Sequence, residues 1–208
     1  MSLETWIGFV AASAVLLAIP GPTVLLVISY ALSGGRKVAL ITAVGVATGD
    51  FIAMSASLAG LGALVAASAT AFTALKWAGA AYLLWLGIRM IRGANAMGAQ
   101  ETETVQPVPA RGMFRHAATV TALNPKSIAF FIAFVPQFVD PTRALAPQFA
   151  LLVTTFVTLA ALNVLAYALA ADRLRARVAR PSAQAWLARA GGAMLIAMAA
   201  LTATLRRA

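Results

Sequence analysis

The chain has 208 residues, of which 62% are apolar and 11% are charged, and its formal net charge is +10. A soluble domain carries about 25% charged residues, so this composition excludes an ordinary soluble protein and indicates an integral membrane protein. The absence of cysteine and the single histidine, His116, exclude disulfides, thiol chemistry and multi-histidine metal sites. We therefore expect neither a metal nor another cofactor.

The basic residues lie in short gaps between apolar runs and not in a separate polar domain. In a soluble protein this charge would suggest nucleic acid, but here it predicts a positive-inside topology and contact with anionic lipid headgroups. We expect membrane lipids and no nucleic acid as partners.

Six apolar stretches predict six transmembrane helices, because one span needs about 20 apolar residues. Their approximate ranges are 5–33, 38–65, 70–91, 114–139, 146–171 and 184–205. The third contains Lys76, whose ammonium has to reach the interface. An acidic, proline-containing loop at 93–112 divides a single transmembrane domain, 1–208, into a first half, 1–92, and a second half, 113–208. The predicted fold class is an all-α integral membrane protein.

The basic residues also predict the orientation of the spans. Eleven of the sixteen lie on one side, in or beside the gaps that follow the first, third and fifth spans, and four lie on the other side. Since basic loops stay in the cytoplasm, the 93–112 loop is expected there and both termini outside. The eleven are Arg36, Lys37, Arg89, Arg92, Arg111, Arg115, Arg173, Arg175, Arg177, Arg180 and Arg189.

Three spans in each half mean that an internal repeat would have inverted topology. Asp50 and Asn163 are 113 residues apart, and Pro22 and Pro136 are 114 apart. Polar residues are few, so chance also produces such matches. The sequence predicts two inverted three-helix repeats.

The first span contains the break Pro20-Gly21-Pro22 within the apolar run "LAIPGPTVLLVI". A proline in a helix interior costs roughly 3 kcal/mol, and hydrocarbon offers no water to the freed backbone groups. The carbonyls left open before the prolines could accept hydrogen bonds from an ammonium. A kink that serves packing alone is the alternative interpretation.

The second span contains Asp50, preceded by Gly45 and Gly49 in a GxxxG pattern that is typical of close helix packing. An aspartate or a lysine at a helix centre costs about 2.5–3.5 kcal/mol on insertion scales. Lys126 lies near the middle of the fourth span, so the two charges are expected to face one another, directly or through water. In a coupling site, Asp50 binds and releases a proton or holds the ammonium of a substrate, and Lys126 holds a carboxylate or neutralises Asp50 when no substrate is present. The alternative is a permanent ion pair that locks two helices.

Asn124-Pro125 repeats the pattern of a broken helix in the fourth span. The proline disfavours helix at Asn124, whose side chain can then cap a half-helix that restarts there. Such a helix N-terminus presents free amides to a carboxylate. The two breaks together could therefore recognise a zwitterion, with Asp50 and Lys126 beside them.

Other polar or special residues inside the spans are expected to serve packing near this site. Gln137 and Asn163 are intramembrane amides, for which an interhelical hydrogen bond is the favoured interpretation over a ligand. Pro136 precedes Gln137 in the fourth span.

The motifs "PGPTVLLVISYALSGGRKVALITAVGVATGD" and "NPKSIAFFIAFVPQFVDP" resemble the LysE/RhtB family of amino-acid exporters over essentially the whole chain. The resemblance implies a secondary exporter of the bacterial inner membrane that takes an amino acid and protons as its partners and works by proton antiport. We expect a small neutral amino acid such as threonine, homoserine or leucine, and a homodimer stays open. The family's characteristic positions fall on Pro20, Gly21, Pro22, Gly45, Gly49, Asp50, Asn124, Pro125, Lys126, Pro136 and Gln137.

Three other classes compete with an exporter. A membrane-embedded enzyme would need a nucleophile–base pair, a metal cluster or a carboxylate dyad at depth, and the composition provides none, so no enzyme is expected. A structural or sensory membrane subunit needs no charge at mid-depth. A passive efflux pore is the nearest rival, and dependence of efflux on a proton gradient separates it from an antiporter.

Overall fold

The computed structural model describes residues 1–19, 21–67, 69–97, 109–140, 142–171 and 180–204. These residues form helices and turns and no strand, which confirms the all-α prediction. The α-helices are α1 (Leu3–Ala18), α2 (Pro22–Ala67), α3 (Ala69–Met97), α4 (Ala110–Ala122), α5 (Pro125–Ala129), α6 (Leu145–Leu169) and α7 (Pro181–Thr204). Between α5 and α6 the chain continues as a π-helix, Phe130–Phe134, and a 3₁₀ helix, Val135–Phe138.

Four segments of the described chain are long and apolar enough to cross a membrane, namely Lys37–Ala63, Ala110–Phe138, Leu145–Leu169 and Ala185–Thr204. The pair Leu3–Ala18 and Thr23–Ala31 meets the same criterion as one broken span, bent by 58°. These segments agree with five of the six predicted spans to within a few residues. The other prediction, 70–91, falls in α3, which is helical but is not among the spans found, and the side chain of Lys76 lies outside the described residues.

The long element α2 folds back on itself. Thr23 and Gly49 both contact Thr121 of α4: the Thr121 and Thr23 hydroxyl oxygens lie 3.5 Å apart, and a Cβ built on Gly49 would lie 2.8 Å from the Thr121 Cβ. A straight helix would hold Thr23 and Gly49 about 39 Å apart. The segments Thr23–Ala31 and Lys37–Ala63 therefore lie side by side, as two separate predicted spans require.

The predicted loop at 93–112 is shorter at both ends. Helix α3 continues to Met97, and α4 begins at Ala110 after Pro109. The prediction ended the span at residue 91 and began the loop at Gly93, but a single glycine costs a helix only about 1 kcal/mol relative to alanine. Residues 98–108 lie outside the described part of the chain.

Helices α1 and α6 run parallel to one another. The Trp6 indole donates to the Thr155 hydroxyl over 3.1 Å, and the Tyr167 hydroxyl donates to the Ala18 carbonyl over 2.7 Å. Both contacts join residues that are 149 apart in sequence. The register of the two helices is therefore the same near the start and near the end of α1.

Two further helix pairs are set by glycines. In α2 the sites of Gly45 and Gly49 meet successive turns of α4, so these helices are parallel as well. Helices α3 and α7 cross at Gly87 and Gly192, where a Cβ on either glycine would lie 2.5–2.6 Å from the other's carbonyl oxygen. Because neither glycine has a side chain, the two backbones approach closely.

The apolar core is richest around six phenylalanines whose ring centroids lie 4.8–6.4 Å from their neighbours. We call them the phenylalanine cluster: Phe9, Phe130, Phe131, Phe134, Phe138 and Phe156. It joins α1 to the π-helix and to α6. Since Phe130 follows Lys126 by one helical turn, the cluster adjoins the predicted site.

Candidate functional site

The first helix break lies where the prolines predict it. Helix α1 ends at Ala18, Ile19 is extended (φ −87°, ψ 110°), and α2 begins at Pro22. Pro20 and the side chain of Pro22 lie outside the described residues. The break ends α1 with carbonyl groups that have no partner within their own helix.

The second break is also confirmed. Helix α4 ends at Ala122, and Asn124 is extended (φ −66°, ψ 113°) before α5 restarts with Pro125 as its first residue. The Asn124 side-chain oxygen accepts a hydrogen bond from the Lys126 amide over 3.0 Å. This arrangement is an N-cap followed by a proline, which needs no backbone donor at the first helical position.

Lys126 connects the two breaks. Its ammonium donates to the carbonyl oxygens of Leu16 and Ile19 over 3.0 Å and 2.9 Å. Gly21 lies alongside, since a Cβ there would be 3.6 Å from the Lys126 Nζ. A side chain of the second half thus binds the helix end that the first break leaves open.

The hydrogen bonds at the two breaks correct two expectations from the sequence. The carbonyls before the prolines were expected to be open to a substrate ammonium, but the protein's own lysine binds two of them. The amides at the start of α5 were expected to be free for a carboxylate, but Pro125 has none and the Lys126 amide donates to Asn124. Both corrections have one cause: a buried backbone group finds a partner in the fold wherever a side chain reaches it.

Tyr167 completes the end of α1. Its hydroxyl donates to the Ala18 carbonyl, and α1 has no basic residue in its last turn that could do so locally. Tyr167 was not among the predicted site residues, because a tyrosine in an apolar helix carries no signal of its partner.

Asp50 is buried, with 3% of its surface exposed, and its Oδ1 atom has no hydrogen-bond partner among the described residues. Asp50 and Lys126 each act electrostatically on the other. Nevertheless, they form no ion pair within 4.0 Å in the part of the chain that the structure describes. The two charges are therefore brought into one region, as expected, but without direct contact.

Two threonines extend this polar region. The Asn124 side-chain NH₂ donates to the Thr23 hydroxyl over 3.2 Å, and the Thr121 hydroxyl donates to the same oxygen over 3.5 Å. All three side chains are buried. Thr23 and Thr121 were not among the predicted site residues, since threonines in membrane helices commonly bond to their own backbone. Their proximity to the two breaks is the one signal that could have identified them.

The glycines before Asp50 lie against α4. A Cβ on Gly45 would be 2.7 Å from the Phe114 carbonyl oxygen, and one on Gly49 would collide with the Ala118 carbonyl oxygen and the Thr121 side chain. This geometry agrees with the expected packing role. It also places Asp50 next to the residues that precede the second break.

The remaining predicted residues lie farther along the helices. Gln137 donates to the Thr202 hydroxyl of α7 over 2.6 Å, which is the expected interhelical bond. Pro136 is buried in the 3₁₀ helix, about 15 Å along the helix axis from Lys126. Asn163 of α6 has a buried Oδ1 with no partner among the described residues.

A family model described as LysE type translocator matches residues 14–205. The chain is 35% identical to an uncharacterized membrane protein of Vibrio cholerae over 98% of both chains. It is 34% identical to a homoserine/homoserine lactone efflux protein of Salmonella typhimurium over the full length of both.

A leucine efflux protein of Salmonella typhimurium is 35% identical over 67% of this chain and 65% of the relative. No solved structure matches. The family model matches nearly the whole chain, including both helix breaks, Asp50 and Lys126, and the chain therefore belongs to the LysE family of translocators.

Proposed function

We propose that the protein exports small neutral amino acids, such as homoserine, threonine or leucine, across the bacterial inner membrane in exchange for protons. The observation that carries the proposal is the buried Asp50 carboxyl group, whose Oδ1 has no partner among the described residues. The names of the two efflux relatives support an amino acid as the substrate.

Asp50 is the group on which proton and substrate compete. A buried carboxylate without a bonded partner is costly, and either a proton or a cation relieves that cost. When the ammonium of an amino acid occupies the carboxylate, no proton can, and the reverse also holds. This mutual exclusion couples the exit of one substrate to the entry of a proton.

The broken helices position the site and let it change shape. Pro20, Gly21 and Pro22 interrupt the first span, and Asn124 and Pro125 interrupt the fourth, as the discontinuous helices of other secondary transporters do at mid-membrane. Lys126 spans the two interruptions. The phenylalanine cluster packs α1 against the chain that follows Lys126, where Phe9 stacks on Phe130.

The pattern of helix contacts supports six spans arranged as two inverted repeats. The first broken segment of each half, α1 or α4, lies parallel to the second span of the other half. The last helices of the two halves, α3 and α7, cross one another at glycines. An inverted two-fold relation produces these exchanged pairs, and alternating access then follows from rocking of the halves. With six spans, the excess of basic residues places both termini in the periplasm.

Export from cells tests the proposal directly. Cells that express the protein, loaded with labelled homoserine or leucine, should release the label faster than cells without it, and a protonophore should abolish the difference. Efflux that persists without a proton gradient would identify a passive pore.

Asp50→Asn should abolish export while the protein remains in the membrane at the wild-type level, because the amide neither holds a proton nor pairs with an ammonium. Asp140→Asn is the matched control. Asp140 follows the fourth span, where hydrogen bonds from Thr142 hold its carboxyl pKa below the usual value. Wild-type export by the Asp50 variant would remove Asp50 from the mechanism.

A further inference from the structure

The polar groups around Asp50 differ in what they leave available for a ligand. Most of the donors expected to hold a carboxylate are bonded to the protein, namely two of the three N–H groups of the Lys126 ammonium and the Lys126 backbone amide. Asp50, expected to hold an ammonium, has an Oδ1 without a partner among the described residues. We propose that the site selects its substrate by the protonated amine and does not depend on the carboxylate. This inference rests on the proposed function and narrows its substrate class.

The first donor expected to hold a carboxylate is the Lys126 ammonium. Two of its three N–H groups are directed at the Leu16 and Ile19 carbonyls. A carboxylate could reach only the third N–H unless Lys126 left two buried carbonyl oxygens, and each buried group left without a partner costs about 1–3 kcal/mol. Lys126 is thus a positioning residue that holds α1 against α5.

The second expected donor is the set of backbone amides at the start of α5. Asn124 accepts the hydrogen bond of the Lys126 amide, and Pro125 has no backbone N–H to offer. The Asn124 side-chain NH₂ donates to Thr23. The helix N-terminus therefore has its cap in the protein itself.

The acceptor is Asp50. Its Oδ1 atom is buried without a partner among the described residues, and Lys126 is near enough to act on it electrostatically but not within 4.0 Å. A small cation that carries its own N–H donors satisfies this oxygen. The ammonium of an amino acid is such a cation, and it is unchanged when the carboxylate is converted to an amide, an ester or a lactone.

One full-length relative is named for the efflux of both homoserine and homoserine lactone. The lactone has no free carboxylate, so the group that the two compounds share and that carries charge is the amine. A site that depends on the amine alone accepts both. For this chain the expected substrate class is small primary amines derived from amino acids, and N-acylated amino acids are excluded from it.

Transport of a matched series into inside-out membrane vesicles tests the inference. The compounds are L-homoserine, L-homoserine lactone, N-acetyl-L-homoserine, L-leucine, L-leucinamide and N-acetyl-L-leucine, assayed at about pH 6 so that each free amine is protonated. Vesicles without the protein correct for passive leakage. Within each set, the free amines should be transported within about tenfold of one another, and the N-acetyl compounds should not be transported.

A site that bonds the carboxylate gives the opposite result, because such sites reject an analogue that lacks the bonded group by a factor on the order of 10⁴. Transport of homoserine or leucine without the lactone and leucinamide would overturn the inference and leave the exporter proposal intact. Transport of the N-acetyl compounds would overturn it as well. If no compound is transported, the exporter proposal fails and the inference fails with it.

The variant Lys126→Met separates positioning from carboxylate binding. A positioning residue should lower transport of homoserine and of its lactone by a similar factor. A selective loss of homoserine, with the lactone retained, would show that Lys126 binds the carboxylate and would contradict the inference.

Discussion

Proline causes both helix breaks, but the hydrogen bonds that stabilise them come from different distances along the chain. At the second break, Asn124 caps an amide only two residues away, so the cap is built into the local sequence. At the first break, the carbonyls at the end of α1 are bound by side chains 107 to 149 residues distant, Lys126 and Tyr167. The cap of the second break is therefore self-contained, whereas the first break exists in its present form only while the rest of the protein is docked against it.

In the proposed transport mechanism, this difference makes the first break the joint between the two halves. Hydrogen bonds to a charged group contribute about 1.5–3 kcal/mol and neutral ones about 0.5–1.5 kcal/mol, so the contacts at α1 are strong enough to hold a conformation and weak enough to exchange during transport.

Lys126→Met should lower export at least about tenfold, since it removes the ammonium that joins the first break to α5 and leaves two buried carbonyls without a donor. Lys126→Arg keeps the charge and should retain part of the activity. Lys37→Met is the control, because Lys37 is exposed at the start of a predicted span. Export should be measured per molecule of inserted protein, and wild-type rates for Lys126→Met would show that the first break needs no distant cap.

Gly49→Ala should destabilise the protein by about 1–3 kcal/mol, because the added methyl group collides with α4 immediately before the second break. Gly60→Ala is the matched control in the same helix, since a Cβ there meets nothing within 4 Å. Alanine should stabilise that position slightly through helix propensity. Thermal unfolding in detergent measures both, and equal melting temperatures would contradict the close packing at Gly49.

Asn124→Ala should cost about 1 kcal/mol through the lost N-cap, and the loss of the hydrogen bond to Thr23 adds to it. Asn124→Ser keeps a capping oxygen and should recover the part that is local. Comparison of the two melting temperatures divides the second break into its local and its long-range support. If serine recovers nothing, the description of this break as self-contained is wrong.

Tyr167→Phe should have the smallest effect, about 0.5–1.5 kcal/mol, because it removes one neutral hydrogen bond to the Ala18 carbonyl. Tyr82→Phe, at a 40% exposed tyrosine of α3, should change the melting temperature by less. An effect of Tyr167→Phe as large as that of Lys126→Met would mean that the charge of the lysine is not what secures α1.

Several features could be predicted from the sequence because their causes are local. Proline lacks an amide donor and clashes with the preceding turn, so Pro20-Gly21-Pro22 and Asn124-Pro125 had to interrupt their helices. The Asn124 cap follows from the same local chemistry. The limits of five spans follow from the lengths of the apolar runs, and the high cost of buried charge places Asp50 and Lys126 together.

Which buried groups bond to one another depends on how the helices pack in three dimensions. Nothing in the residues around Leu16 and Ile19 indicates that an ammonium more than 100 positions away binds their carbonyls. The contacts of Thr23 with Thr121, and of Tyr167 with Ala18, depend in the same way on helix packing. Local chemistry determines where a membrane helix must break, because it removes a backbone partner there. The replacement partner depends on three-dimensional proximity, which is a property of the whole fold.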